Sequence, residues 1–375
     1  MTGLGGLDVE GPFRQPSLPV AVPSRRDVTH SRSPESAGTS QTWVEPGTYE
    51  VADGVHRIPL PLPVEALRAV NVYVIESELG LTLVDAGWDM PSARKQLKSS
   101  LRELGHDLRD VTQILVTHAH RDHYSMAVAI RREFGARISL GLGERPSVEA
   151  MIRGAERGSE HRGRLINGGA DALLDFWDDW SASLAADAGE WDVPDTWLAD
   201  DHPIVVGGRE LQAISTPGHT AGHFVFADLR AGILFSGDHV LPSITPSIGY
   251  EQVSAPLPLG RFLESLAKIR ALPDLRLLPA HGDSGGSSHA RVDELLSHHA
   301  ERLALCEAAV RRGASTAYAT ARTVPWTRHR RGFSELPPYN QVQAVLETTA
   351  HLEVLVARGD LAGTVVDGCA TYATR

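Results

Sequence analysis

Short apolar runs with β-branched residues recur along this chain, and longer stretches at helical spacing lie between them. Val111–Val116, Leu211–Ile214, Gly232–Phe235 and Leu275–Leu278 read as buried strands, and Val51–Ile58 as a hairpin region. Pro91–Leu104 reads as a helix, with Leu97, Leu101 and Leu104 on one face and proline in its first turn. Ser125–Phe134 reads as a second helix, with Ser125 as its candidate N-cap, and Ala136–Leu140 as the strand that follows. Strands and helices alternate, and the pattern repeats after residue 204. An α/β fold is therefore expected.

Outside this pattern, residues 1–45 mix Pro, Ser, Arg, Gly and Thr without periodicity. Such a composition buries too little apolar surface to offset ordering entropy, so disorder is expected there. Glu144–Asp201 reads as a helical, acidic insertion carrying Trp177, Trp180, Trp191 and Trp197. From about Ser287 the chain turns helical again: Arg291–Val310, a short Ala314–Thr323, then Pro338–Arg358 with Val342, Val345, Leu346, Leu352 and Leu355 facing inward. Gly359 ends that helix, and Leu361–Tyr372 reads as a small β-wing.

Composition narrows the class. The 375 residues exceed one ordinary domain, and 42% apolar with 22% charged residues is usual for a globular protein. A net charge of -11 argues against a broadly nucleic-acid-binding surface. The two cysteines, Cys306 and Cys369, lie outside every motif and suggest no disulfide framework. No run approaches the ~20 apolar residues of a membrane span, and no secretory h-region is present; a cytoplasmic protein with no membrane partner is expected.

The chemistry is concentrated at strand ends. Thr117-His118-Ala119-His120-Arg121-Asp122-His123 sets four candidate metal ligands directly after the 111–116 strand. Imidazole and carboxylate suit zinc, iron or manganese, and His-x-His puts two imidazoles on one side of an extended backbone. His219, Asp238 and His281 each follow another strand-like run beside a glycine.

The pattern H-x-H-x-D-H with a downstream His, Asp and His resembles the dinuclear signature of the metallo-β-lactamase superfamily, over roughly residues 48–285. The resemblance implies an αββα sandwich with metals at one edge. It implies that His118, His120 and His219 hold one metal, that Asp122, His123 and His281 hold a second, and that Asp238 bridges them. Asn71–Ile75 and Leu83–Gly87 are similar to the family's opening strands, and Asp85 to a carboxylate lying behind the His loop. The C-terminal order resembles the winged-helix cap of the branch related to human mitochondrial endoribonuclease-like proteins. On that reading 1–45 is a tail, 46–286 a catalytic domain with the 144–201 insertion, and 287–375 a cap.

Two cations about 3.5 Å apart that share a hydroxide make hydrolysis the default reaction. Asp122 or Asp238 is placed to pass a proton to the leaving group. The expected function is a dinuclear hydrolase with two zinc ions, iron or manganese being alternatives, acting on a small acyl ester, thioester or lactone. Trp177 and Trp180 are candidate walls of its substrate pocket. A metal-dependent ribonuclease or phosphodiesterase using the winged helix and Arg328–Arg331 to hold the strand, and a mononuclear iron oxygenase of the same fold, are the alternatives. A nucleic-acid partner is disfavoured by charge, a homodimer is left open, and His223 and His239 are assigned supporting or packing roles.

Overall fold

The computed structural model describes residues 41–63, 67–154, 159–183, 188–327 and 329–375. Its first half runs β1 (Tyr49–Ala52), β2 (Val55–Pro61), β3 (Ala69–Ser77), β4 (Gly80–Val84), α1 (Pro91–Glu103), β5 (Val111–Leu115), α2 (Arg121–Phe134) and β6 (Arg137–Gly141). Then come α3 (Arg145–Ile152), α4 (Ser159–Asn167), α5 (Leu174–Ser183) and β7 (Thr196–Leu198). The second half is β8 (His202–Val206), β9 (Arg209–Ser215), β10 (Phe224–Asp228), β11 (Ile233–Gly237), α6 (Pro258–Arg270) and β12 (Arg276–Pro279). It closes with α7 (Ser288–Arg311), α8 (Ala317–Ala321), α9 (Pro338–Arg358) and the hairpin β13 (Leu361–Val366) and β14 (Cys369–Thr374).

One sheet takes the order β1-β2-β3-β4-β5-β6-β7, the other β12-β11-β10-β9-β8. Alternation along each strand sorts its side chains between layers. On β3, Tyr73 and Ile75 point between the sheets, while Val70, Val72 and Val74 face outward with Leu97 and Leu101 of α1 and Ala127 and Ile130 of α2. On β10, Phe224 and Phe226 point between the sheets, while Val225 and Ala227 face the layer holding Phe262 of α6 and Leu295 of α7. Each sheet thus buries both faces, one against its mate and one against helices. That is the αββα sandwich.

Several boundaries differ from expectation. The helix expected at Ser125 begins at Arg121, with His120 as N-cap, so Asp122 and His123 occupy its first turn. A carboxylate in a helix's first turn opposes the macrodipole favourably, and Asp122 does this. Ser125 is inside the helix: its hydroxyl donates to Arg121 O (2.8 Å) and accepts from Asp89 N (2.8 Å), tying the 85–90 loop to α2.

The 144–201 insertion is helical only in part. Its end, β7, pairs parallel with β6 and carries Trp197, so it extends the first sheet. Of the expected disordered tail, residues 1–40 lie outside the described residues, but Gln41–Val44 form a short 3-10 turn. Arg57 explains this locally, donating through Nη1 to Trp43 O (2.7 Å).

The C-terminal elements run helix, short helix, helix, hairpin. Their buried side chains, including Leu295, Cys306, Val345 and Leu352, share one apolar cluster with Val225, Leu234 and Phe262. His299 and His351 are both buried and meet across α7 and α9 (Nδ1 to Nε2 3.2 Å). Cys306 and Cys369 are free thiols. No described helix is long and apolar enough to cross a membrane.

Candidate metal centre

Four strands deliver the site. His118, His120, Asp122 and His123 follow β5, His219 follows β9, Asp238 follows β11 and His281 follows β12. Glycine makes the Asp238 turn: Gly237 sits at φ +51°, and a Cβ there would lie 2.8 Å from both His223 Nε2 and the Thr117 side chain. No larger residue fits without moving the site.

The ligand atoms fall into two groups, His118/His120/His219/Asp238 and Asp122/His123/His281, with every atom in each group within 4.8 Å of the others. His120 Nδ1 is 2.9 Å from His118 Nε2 and 3.2 Å from His219 Nε2. Asp238 faces both groups, with Oδ2 3.6 Å from His219 Nε2 and Oδ1 3.4 Å from His281 Nε2. Asp122 Oδ2 lies 3.4 Å from His281 Nε2.

The outward ring nitrogens settle which inward atoms carry lone pairs. His219 Nδ1 is 2.7 Å from Ser247 O, and His281 Nδ1 is 2.8 Å from Ala69 O. A carbonyl only accepts, so each Nδ1 carries a proton and Nε2 is the lone-pair atom of the neutral ring. His123 Nδ1 likewise donates to Asp85 Oδ2 (2.9 Å). Thr117 spends its one hydroxyl proton on Asp85 (3.0 Å), so it accepts from His118 Nδ1 (3.0 Å). Four imidazoles therefore aim Nε2 lone pairs at the same space.

His123 Nε2, His281 Nε2 and Asp238 Oδ1 are buried and make no hydrogen bond. Orphaned acceptors pointing together are costly without a cation between them. The donor set of imidazole and carboxylate fits a divalent transition metal.

Electrostatics agree. Burial pushes His118 well below its ordinary value, His120 to about 3 and His219 to about 4, so these rings stay neutral and available. For His123 burial also acts downward, but the Asp85, Asp122 and Asp238 carboxylates outweigh it and raise the ring to about 10, and for His281 Asp238 and Asp122 likewise outweigh burial, so a proton and a metal cation compete for these two Nε2 atoms. Positive charge is strongly favoured at that spot.

Behind the ligands, Asp85 accepts from Thr117 N (2.8 Å), Thr117 Oγ1 and His123 Nδ1 while sitting at φ +59°. His223 is another brace: its Nε2 accepts from Asp238 N (3.2 Å), and its Nδ1 bonds Thr216 Oγ1 (2.9 Å). The His281 loop is sutured to β3 by Asn71 Nδ2, which donates to Pro279 O and Gly282 O, and by Tyr73 OH, which donates to Pro279 O.

A cavity of about 310 Å³ opens beside His120. Trp177 and Trp180, singled out in the sequence, line it, as do Trp88, Trp191, Tyr250 and Tyr339. Trp197 does not. The ring contacts close a circuit: Trp177–Trp180 at 5.0 Å, Trp180–Tyr339 at 4.7 Å, Tyr339–Tyr250 at 5.8 Å, Tyr250–His161 at 4.8 Å and His161–Trp177 at 5.0 Å. Two buried carboxyls, Glu144 and Glu251, also line it. Sequence reasoning missed both, together with Tyr250, Tyr339 and His161.

Close backbone packing places Glu144. A Cβ on Gly141 would lie 1.9 Å from Gly222 O, and one on Gly222 would lie 2.3 Å from Glu144 N. The 141–144 and 220–222 segments touch because both positions are glycine, and Thr220 Oγ1 then donates to Glu144 Oε1.

Two face-to-face sheets with a buried His/Asp cluster at their strand ends define a protein of the αββα metal-site class. The chain belongs to the metallo-beta-lactamase superfamily, whose family model matches residues 66–281. It is 31% identical over 176 residues to the uncharacterized protein YobT of Bacillus subtilis, covering 46% of this chain and 63% of that one. It is 26% identical over 163 residues to a hydroxyacylglutathione hydrolase of Cereibacter sphaeroides, covering 44% and 45%. These alignments thus span less than two thirds of either relative. The crystal structure of a beta-lactamase domain protein from Burkholderia ambifaria superposes with a TM-score of 0.72 at 28% identity, covering 88% of this chain and 94% of that one.

Proposed function

We propose that this chain is a dinuclear metal-dependent hydrolase acting on a small acyl ester, thioester or lactone. The observation that carries the reading is the pairing of converging imidazole lone-pair nitrogens with an aromatic cavity that shares His120 as a wall. His118, His120 and His219 would hold one cation, and Asp122, His123 and His281 the other, with one Asp238 oxygen turned to each. Such cations, when bound, supply a water acidic enough to attack at neutral pH and polarise the scissile carbonyl.

The chain's own residues do the rest. Asp85 and Thr117 fix the tautomers of His123 and His118. His223 holds the Asp238 main chain, and Asp122 is positioned to carry a proton toward the leaving group. The cavity walls exclude water and orient the substrate arm. The hydroxyacylglutathione hydrolase relative, named for a thioester reaction, supports the acyl class.

Two observations favour the acyl reading over the ribonuclease alternative. Residues 341 to 356 of α9 are buried or only partly exposed, which leaves little of that helix to lay against a nucleic acid. Of the basic run, Arg328 lies outside the described residues, and His329 to Arg331 form an exposed turn.

The test is a substrate panel on zinc-loaded protein, with labelled single-stranded RNA at low salt run in parallel. Turnover of acyl esters or thioesters that disappears in Asp238→Ala, with about two metal ions per chain, is the expected result. RNA cleavage without acyl hydrolysis, or a single iron per chain, overturns the proposal.

A further inference from the structure

We propose that the cavity beside His120 accepts a substrate arm ending in an ammonium or quaternary ammonium group, so that the substrates of this site are cationic acyl esters or thioesters. The catalytic half of this statement rests on the hydrolase reading above. The preference for a cation rests on the cavity alone.

The walls are electron-rich. Trp177, Trp180, Tyr339 and Tyr250 form a continuous run of rings 4.7–5.8 Å apart, and a ring face attracts a cation through its quadrupole. Glu144 and Glu251 add two carboxyls, 1% and 6% exposed. Burial, reinforced for Glu144 by Glu251, lifts Glu144 to about 8, and burial lifts Glu251 to about 7. Burial holds both carboxyls toward their neutral form, and a cation seated beside them would favour the charged form.

The cavity also holds two buried donors without a partner, Arg121 Nη2 and Trp191 Nε1, which would take an acceptor such as the acyl oxygen of the substrate. Arg121, its lining guanidinium, is held by Glu190 (2.8 Å) and lies over the Trp88 ring (5.0 Å). Arg164, behind Glu251, donates to the carbonyls of Gly249 (2.5 Å) and Glu251. His161 stays neutral, pushed down to about 3 by burial and by Arg164. Its Nε2 donates to Tyr250 O (3.1 Å), so its Nδ1 is a bare acceptor. That Nδ1 is buried and has no hydrogen-bond partner. An acceptor left orphaned in a cavity wall points to a ligand that donates. A primary ammonium satisfies it with an N–H, and a quaternary one with polarised methyl groups.

Two measurements on the metal-loaded protein test this. The first compares kcat/KM for butyrylcholine with that for 3,3-dimethylbutyl butyrate, its uncharged isostere. The second follows tryptophan emission as tetramethylammonium is added at constant ionic strength, which needs no turnover. A preference for the cationic ester of about tenfold is expected, with saturable quenching by tetramethylammonium, and Glu251→Gln and Trp180→Leu should each shrink both effects. Saturable quenching without hydrolysis of either ester keeps the cation site and removes the hydrolase reading. Where either ester is hydrolysed, an equal or greater kcat/KM for the neutral one overturns the proposal, and the absence of saturable quenching overturns it whatever the activity.

Discussion

Replacing Asp85 by Asn probes the centre through one buried proton. Asparagine tolerates the left-handed backbone at φ +59° and matches the size of aspartate, so the loop keeps its shape. Oδ1 still accepts from Thr117 N (2.8 Å) and Oγ1 (3.0 Å). The other atom becomes an NH2 facing His123 Nδ1, now 2.9 Å from a carboxylate oxygen. Two donors cannot face each other there, so His123 moves its proton to Nε2, the atom needed as a ligand. Loss of such an orienting carboxylate lowers metal affinity by about 10- to 100-fold, or about 1.4–2.8 kcal/mol. The loss should fall on the Asp122/His123/His281 group, leaving the His118/His120/His219 group close to wild type. Chelator-competition titration with zinc should then show two events in the wild type and one weakened event in the variant. Two unweakened events in Asp85→Asn would refute the tautomer argument.

Three further outcomes follow from the same geometry. Glu251, lifted to about 7 by burial, binds its proton more tightly folded than unfolded. Folding stability therefore falls as pH rises from about 4.5 through 7 and levels off above, and Glu251→Gln should flatten the wild-type decline in Tm across that window. Gly222→Ala puts a Cβ 2.3 Å from Glu144 N, a backbone atom unable to swing aside, and should cost about 1–3 kcal/mol or more in urea unfolding. Phe226→Ala empties a fully buried site between the sheets and should cost about 3–5 kcal/mol; per-molecule metal content should hold, since Phe226 belongs to the apolar cluster between the sheets and is not one of the candidate ligands.

The sandwich was legible because each strand of its core obeys a local rule. Apolar alternation on β3 and β10 assigns side chains to layers, and Pro91 and Gly359 mark helix ends. The seven-residue cluster was legible because few side-chain types hold a transition metal, His and Asp among them, and strand ends are where a backbone turns. The start of α2 was not, because His120 makes no side-chain cap bond and the ligand spacing masked the helical register of Asp122 and His123. The last strand of the insertion was missed for a related reason. At three residues, Thr196–Leu198 is too short to show a period, and only its pairing with β6 defines it.

The cavity lay beyond sequence reasoning for a deeper reason. Trp177 and Trp180 stood out by type alone, whereas Tyr250 lies in an irregular loop and Tyr339 in the first turn of α9, 89 residues apart by number. No periodicity links them, and they meet at 5.8 Å only because α9 packs on the α4 and α5 layer. Glu144 and Glu251 are 107 positions apart and reach one wall because Gly141 and Gly222 let two loops touch. The metal cluster needs particular residue types, so it announces itself in one dimension. The pocket needs only a shape and a sign of charge, which many residues supply. If the cavity is the substrate pocket, as proposed, specificity is encoded in tertiary packing between the insertion and the C-terminal helices, and changes confined to α9 should alter substrate choice while leaving metal content untouched.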